Sequence, residues 1–410
     1  MEKEFESLTN SSDVLFMMLG AVMVFAMHGG FAFLEVGTVR KKNQVNALVK
    51  ILVDFAISTL IYFFVGFSIA YGFDFFHPTK ELLEDRQGYE LVHFFFLLTF
   101  AAAIPAIISG GIAERAKFST QALAALIFVG ICYPLFEGMV WGEITLLGQP
   151  DSWLAEISGG IPFHDYAGSV VVHSMGGWIA LAGIIVLGPR LGRWDSEGRS
   201  RPIPISNFPF MALGSWMLCV GWFGFNVMSA ATIQGISGLV AINSLFAMAG
   251  GIISSLLISK NDPGFIHNGA LAGLVAICAG SDQVHPIGAL VIGAVSGVIF
   301  VKGFIWEQEK LKIDDVLGVW PLHGLAGTWG GIACGIFGQE SLGGLGEVSL
   351  KAQMVGSLIA VGLALFFGFT VYKILDATIG IRLTKEAEQR GSDLTLHKIE
   401  AYPEDASSRF

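Results

Sequence analysis

The chain reads as an all-α integral membrane protein of eleven transmembrane helices, two inverted halves of five plus a final long helix, with its N-terminus outside and its C-terminus inside. Three observations lead there. Of 410 residues, 53% are hydrophobic and 14% charged, with a mean hydropathy of +0.64. That is more apolar surface than one soluble core of this length buries. The apolar residues fall in runs of roughly twenty, enough for a helix to cross ~30 Å of hydrocarbon. A short pattern centred on a histidine also recurs 150 positions later. Soluble enzymes and nucleic-acid binders are excluded on this basis, and the net charge of -10 points the same way.

Runs bounded by charge or by Gly and Pro place spans near 14–37, 47–72, 91–113, 120–142, 166–188, 208–230, 236–259, 267–281, 286–305, 316–338 and 352–378. Ahead of the first, Met1 to Asp13 is acidic and polar, and no small-residue cleavage pattern follows the first apolar run, so no cleaved signal peptide is expected. The eighth run is short enough, at about fifteen residues, to be a buried or re-entrant piece. Lys and Arg arbitrate, because in short loops they accumulate on the cytoplasmic side. With Arg40, Lys41 and Lys42 placed inside and eleven spans alternating, only Lys3, Lys80, Arg86 and Lys351 of the 24 basic residues fall outside. An even number of spans breaks this pattern, so the eighth is kept. The transmembrane domain is expected over 1–378, with a charged cytosolic tail over 379–410 that is partly helical at most.

The repeat is D-x2-G-x4-H-x3-G: Asp165, Gly168, His173 and Gly177 in the fifth span, and Asp315, Gly318, His323 and Gly327 in the tenth. Four agreements at one register, five spans apart, indicate duplicated halves. Because five is odd, the second half enters the membrane upside down, and a functional site is expected near the midplane between the halves. His173 and His323 would then meet there. An ionisable side chain in hydrocarbon is costly and usually lines a pathway; the competing role is a core histidine bonded to a carbonyl.

Other residues carry less. Asp165 and Asp315 lie about 12 Å upstream of their histidines along a helix, so they are candidates for capping the fifth and tenth helices or for a functional role. Phe100, Trp141 and Phe225 sit where aromatic faces can line a vestibule, although for Trp141 position alone favours membrane-interface anchoring. Cys132, Cys219, Cys278 and Cys334 stand singly in apolar runs and read as small core residues rather than as disulfides or a zinc site. The nine histidines include no HxxH or HxxxH pair and no neighbouring carboxylate cluster, so neither a metal nor another cofactor is expected and a membrane enzyme is disfavoured.

At these residues the chain resembles the ammonium transporter family, which includes methylammonium permeases and Rhesus glycoproteins. The resemblance runs from GGFAFLEVGTVRKKN (29–43) through GGIAERAKF (110–118), DYAGSVVVHSMGG (165–177) and GWFGFNVMS (221–229) to DDVLGVWPLHGLAGTWG (314–330). It implies a homotrimer in the cytoplasmic membrane, one pore per subunit, with ammonium and methylammonium as substrates. Phe100, Trp141 and Ser229 resemble the family's external recruitment site, Phe100 and Phe225 its stacked gate, His173 and His323 its twin pore histidines, and Asp165 its recruitment aspartate. Trp141 and Ser229 favour the ammonium transporter branch over the Rhesus branch. Two positions depart from the common pattern: Gly318, where many members carry an acid, and Glu35, where many carry a small residue. The family often binds a PII-type regulator, for which the tail and the loop from Arg190 to Arg201 offer charged surface.

The resemblance also sets a mechanism to test. A cation gathered at the aromatic site loses its proton, and ammonia passes the two histidines, with the proton left outside or carried separately. The alternatives are an ammonium sensor of the same fold and a gas pore of the Rhesus type with little ammonium preference.

Overall fold

A computed structural model describes residues 2–84, 88–233 and 235–404. Arg86 and Arg409, used in the charge reading above, and positions 405–410 of the expected tail lie outside the described residues. The described chain is all-helical: no β-strand forms among these residues, only two isolated bridges. Its long helices are α1 (Ser7–Thr38), α2 (Lys41–Tyr71), α3 (Tyr89–Ile112), α4 (Phe118–Val140), α5 (Ser169–Leu187), α6 (Phe208–Ala230), α7 (Ser237–Ile258), α8 (Pro263–Ile277), α9 (Pro286–Leu311), α10 (Trp320–Leu325 continuing as Ala326–Phe337) and α11 (Leu350–Ile379). Nine of them are long and apolar enough to cross a membrane among the described residues; α8 is a shorter apolar helix, and the Gly- and Trp-containing α10 is not among the nine. This is an all-α membrane protein.

Local chemistry sets where the helices begin. Asn207, Asp262 and Ser349 cap α6, α8 and α11 with side-chain oxygens that accept from Phe210, Phe265 and Ala352 N–H, and proline occupies the first turn of α6, α8 and α9. The Asp262 cap starts α8 four residues earlier than the apolar run does. Helix also extends back from α1 through the expected polar leader to Glu2. No Gly or Pro interrupts that stretch, and each residue added to an existing helix gains a hydrogen bond.

α3 and α5 are the most buried helices, whereas α2 and α11 are largely exposed at the periphery. α1 packs along α6, α5 against α10 and α11, and α7, α8 and α9 against one another. At the centre, α5 and α10 cross almost backbone to backbone. A Cβ on Gly177 would lie 2.1 Å from Gly324 N, and one on Gly327 would lie 2.3 Å from the Ser169 carbonyl, so the repeated glycines of the two halves permit this contact. All four cysteines are free and buried.

One end of the helix bundle gathers buried charge. Arg190 forks onto Asp314 with two 2.9 Å bonds, and Arg40 and Arg190 pair with Glu114. Burial pushes the Asp314 carboxyl up, but the Arg190 bonds and charge, with Arg115 nearby, outweigh it and hold the pKa at about 2. The tail, expected as surface, is partly docked. Glu388 accepts from Leu191 N–H at 2.7 Å and from Arg382 at 2.8 Å, while Asp393 accepts from Val45 and Asn46 N–H and so caps the start of α2. Arg190 and Arg193 are buried rather than offered as surface, a correction to the charged loop read from sequence, in which Arg199 and Arg201 remain exposed. Backbone N–H groups left free at a helix start, and carboxylates left free in a loop, attract one another however polar the tail looks.

Candidate functional site

A cavity of about 170 Å³ opens between α1, α3, α4 and α6, lined by Met17, Phe96, Phe100, Trp141, Tyr166 and Ser229 among others. Ser229 donates its hydroxyl proton to the Phe225 carbonyl at 2.7 Å, leaving the oxygen as an acceptor only. Trp141 is half-buried, with its ring 6.0 Å from Phe100 and its indole N–H donating to the Asp165 carbonyl at 2.7 Å. Those contacts place it in the cavity wall, so the membrane-anchor expectation is set aside. Tyr71 and His93, which sequence reasoning did not single out, complete the wall.

Beneath the cavity Phe100 and Phe225 stack face to face, with centroids 3.8 Å apart and planes at 9°. Both are fully buried, and Phe100 also lines the cavity. Below it lies His173, 5.3 Å from Phe225 and stacked at 5.1 Å on Trp222. His173 and His323 face each other with Nδ1 atoms 3.3 Å apart and rings 5.3 Å apart. Phe31 of α1 follows, 6.4 Å from His323. The result is a buried column from α3 and α6 to the α5–α10 crossing. Trp222 was missed in the sequence because one indole among nine tryptophans carries no distinguishing spacing.

The two aspartates explain why the histidines stand where they do. Asp165 accepts from Gly168 N–H at 3.0 Å, Val170 N–H at 2.8 Å and Val171 N–H at 2.7 Å; Asp315 accepts from Gly318 N–H at 2.9 Å and Trp320 N–H at 2.8 Å. Each carboxylate satisfies N–H groups at the mouth of its helix, the capping role. Gly168 and Gly318 take φ of 89° and 73°, left-handed values that favour glycine and turn the chain into the helix. Both histidines then sit on π-helical turns, Ser169–Ser174 and Trp320–Leu325. Such turns are frequent at functional sites because they displace a side chain from the regular ladder.

A contact between two Nδ1 atoms is a hydrogen bond only when one carries a proton and the other a lone pair, so as a hydrogen bond it joins two imidazoles that differ in which Nδ1 is protonated. Nε2 of His173 is buried with no partner among the described residues. No group of three or more possible metal-ligating side chains occurs among the described residues. Glu35, whose role the sequence left open, forms a buried ion pair with Lys50 at 2.9 Å and accepts from Ser109 at 2.5 Å. Glu137, also missed, gathers the hydroxyls of Tyr62, Tyr71 and Tyr133 at 2.8–3.3 Å. Both carboxylates have the partners that burial demands. Outside the spans His164 pairs with Asp282 at 3.0 Å. Burial works against the charged imidazole, yet the Asp282 charge and hydrogen bond prevail and raise its pKa.

A model of the Ammonium Transporter Family matches residues 15–402, nearly the whole chain. The chain belongs to that family. It is 43% identical over 407 residues to the ammonium transporter Amt2 of Methanocaldococcus jannaschii, covering 97% of this chain and 93% of the relative. It is 39% identical to Amt1 of the same organism, covering 96% and 97%. Among solved structures, one described as a sensor Amt protein superposes with a TM-score of 0.86 at 32% identity, over 97% of this chain and all of the other. Saccharomyces cerevisiae Mep2 shares the fold at a TM-score of 0.76 and 22% identity, over 92% and 88%. This family member is thus a multi-pass membrane protein, and its family is one of transporters.

Proposed function

We propose that the protein takes up ammonium selectively across the cytoplasmic membrane, recruiting the cation at Phe100, Trp141 and Ser229, splitting it into ammonia and a proton, passing ammonia between His173 and His323, and relaying the proton separately along the same histidine pair. The observation that carries this is the single column of acceptor, aromatic stack and paired imidazoles, in a family member.

Magnitudes set the order of events. An aromatic face supplies ~0.5 to 2 kcal/mol for a cation, whereas moving a bare ion into low dielectric costs tens of kcal/mol on the Born estimate. The cavity therefore concentrates ammonium, with the Ser229 oxygen accepting one N–H, but the charged species does not pass the Phe100–Phe225 gate. Potassium lacks both the directed N–H groups and the removable proton. Beyond the gate, neutral ammonia hydrogen-bonds to the imidazoles in an apolar passage. Asp165 acts chiefly by holding the helix mouth, and so the Trp141 contact and His173, in place.

On this reading the transmembrane domain is 1–378 and the tail 379–410, with eleven spans counting α8 and α10, N-terminus outside and C-terminus inside. The inverted 5+5 relation is supported by the twin Asp-Gly-His geometry at an offset of 150, and the gathering of basic residues at one end of the bundle supports taking that end as cytoplasmic. A homotrimer and a PII-type regulator at that face belong to the same proposal. A second reading, an ammonium sensor, draws on the likeness to the sensor Amt protein at 32% identity.

The deciding experiment is current across a solid-supported membrane carrying liposomes of the purified protein, on ammonium, methylammonium and potassium jumps. Transport requires a response to ammonium and not to potassium, matched by ammonium uptake. Saturable ammonium binding with neither current nor flux would favour the sensor.

A further inference from the structure

Two basic segments far apart in sequence, the loop after α5 and the start of the tail, meet around a cavity of about 520 Å³. Arg190, Arg193 and Trp194 line it from the loop, Arg382 and Lys385 from the tail, and no acidic residue among the described ones lines it. Arg382 holds the segments together by donating to the Leu187 and Pro189 carbonyls at 3.0 and 2.7 Å.

The charge behind these walls is unequal. Glu388 pairs with Arg382, Asp314 with Arg190 and Arg193, and Glu114 with Arg40 and Arg190. Arg115 is fully buried, and among the described residues its hydrogen bonds all go to carbonyl oxygens, those of Gly111, Ala113, Gly188 and Asp314. Three carboxylates therefore serve five guanidinium groups, with Lys385 in addition. Burial lowers the Arg115 pKa to about 10 despite the Asp314 charge, and Arg190 adds to the fall. Neutral contacts fix Arg193, which donates to Ser200 and Gln308 at 2.6 and 2.7 Å with its guanidinium 4.7 Å over the Trp194 ring. A guanidinium carries five N–H donors, so Arg193 and Arg382 keep donors beyond these bonds. Lys385 is exposed and makes no ion pair among the described residues.

We propose that this cavity binds an anionic phosphate group between Arg193, Arg382 and Lys385. A phosphate supplies the negative charge the cluster lacks, and its oxygens match the planar fork of a guanidinium. Two sources carry that chemistry, an anionic phospholipid headgroup and a soluble phosphate. Pro189 and Arg382 stand two and three residues beyond the ends of α5 and α11, a depth that headgroups reach as well as water. The binding does not depend on the transport reading.

Binding is read by isothermal titration calorimetry on the full chain in a neutral detergent. One arm uses inorganic phosphate; the other uses dioctanoyl phosphatidylglycerol against zwitterionic dioctanoyl phosphatidylcholine. Lys385→Glu and Arg193→Gln should each raise the dissociation constant roughly tenfold, the scale of one charge-assisted bond. Arg199→Gln, outside the cavity and paired with Asp195 and Glu197, should leave it unchanged. Lys385→Glu breaks no internal ion pair, so it decides even where Arg193→Gln disturbs the loop. Saturation by inorganic phosphate with this pattern supports the site with a soluble source, and saturation by phosphatidylglycerol alone supports it with a headgroup. No binding in either arm would overturn the proposal. So would equal binding of phosphatidylcholine, an affinity indifferent to Lys385→Glu, or one weakened as much by Arg199→Gln.

Discussion

The Nδ1 atoms of His173 and His323 approach to 3.3 Å although the residues stand 150 positions apart on different helices. At that distance a hydrogen bond joins the two rings whenever one Nδ1 carries a proton and the other presents a lone pair. Replacing both by leucine removes every imidazole nitrogen from the column while preserving apolar packing. Ammonium-dependent current and uptake should be abolished, with the circular-dichroism spectrum and elution volume unchanged; full current and selectivity in the double variant would end the relay account.

Ser229 acts by an oriented lone pair, its proton being committed to the Phe225 carbonyl. Ser229→Ala should raise half-saturation for ammonium on the outer face roughly tenfold, the scale of one charge-assisted hydrogen bond, with little change in maximal flux. A fall in maximal flux at constant half-saturation would place the residue elsewhere in the cycle.

Asp165 accepts three backbone N–H groups at the mouth of α5. Asp165→Ala should cost ~1 to 3 kcal/mol of stability from the orphaned donors, seen as a lower melting temperature in detergent, and should also reduce flux because His173 loses its support. Asp315→Ala should show the same stability loss, since Asp315 caps α10 in the same way. Loss of flux at unchanged stability would indicate a direct role for the charge.

The His164–Asp282 pair makes stability depend on pH. The folded pKa of His164 is raised above its ordinary 6.5, so the pair's contribution is complete below about 6.5 and is lost as pH rises through the raised value. The melting-temperature difference between wild type and Asp282→Asn should therefore shrink on going from acid to alkaline buffer. A difference that grows with pH would contradict the pairing.

Much of this molecule is legible before any coordinates. Hydrocarbon thickness and the cost of unpaired backbone in lipid make long apolar runs into helices, and the repeated Asp-Gly-His register marks two helix mouths that carry a cap, a left-handed glycine and a histidine each. Other features have no local signature. That Trp222 stacks on His173, that Glu35 finds Lys50, that Glu137 collects three tyrosines, and that Asp393 reaches the start of α2 are choices among side chains far apart in sequence. Helices of similar apolarity pack in many ways on pattern alone, and only the packed arrangement, with close Gly contacts and buried charges needing partners, selects one.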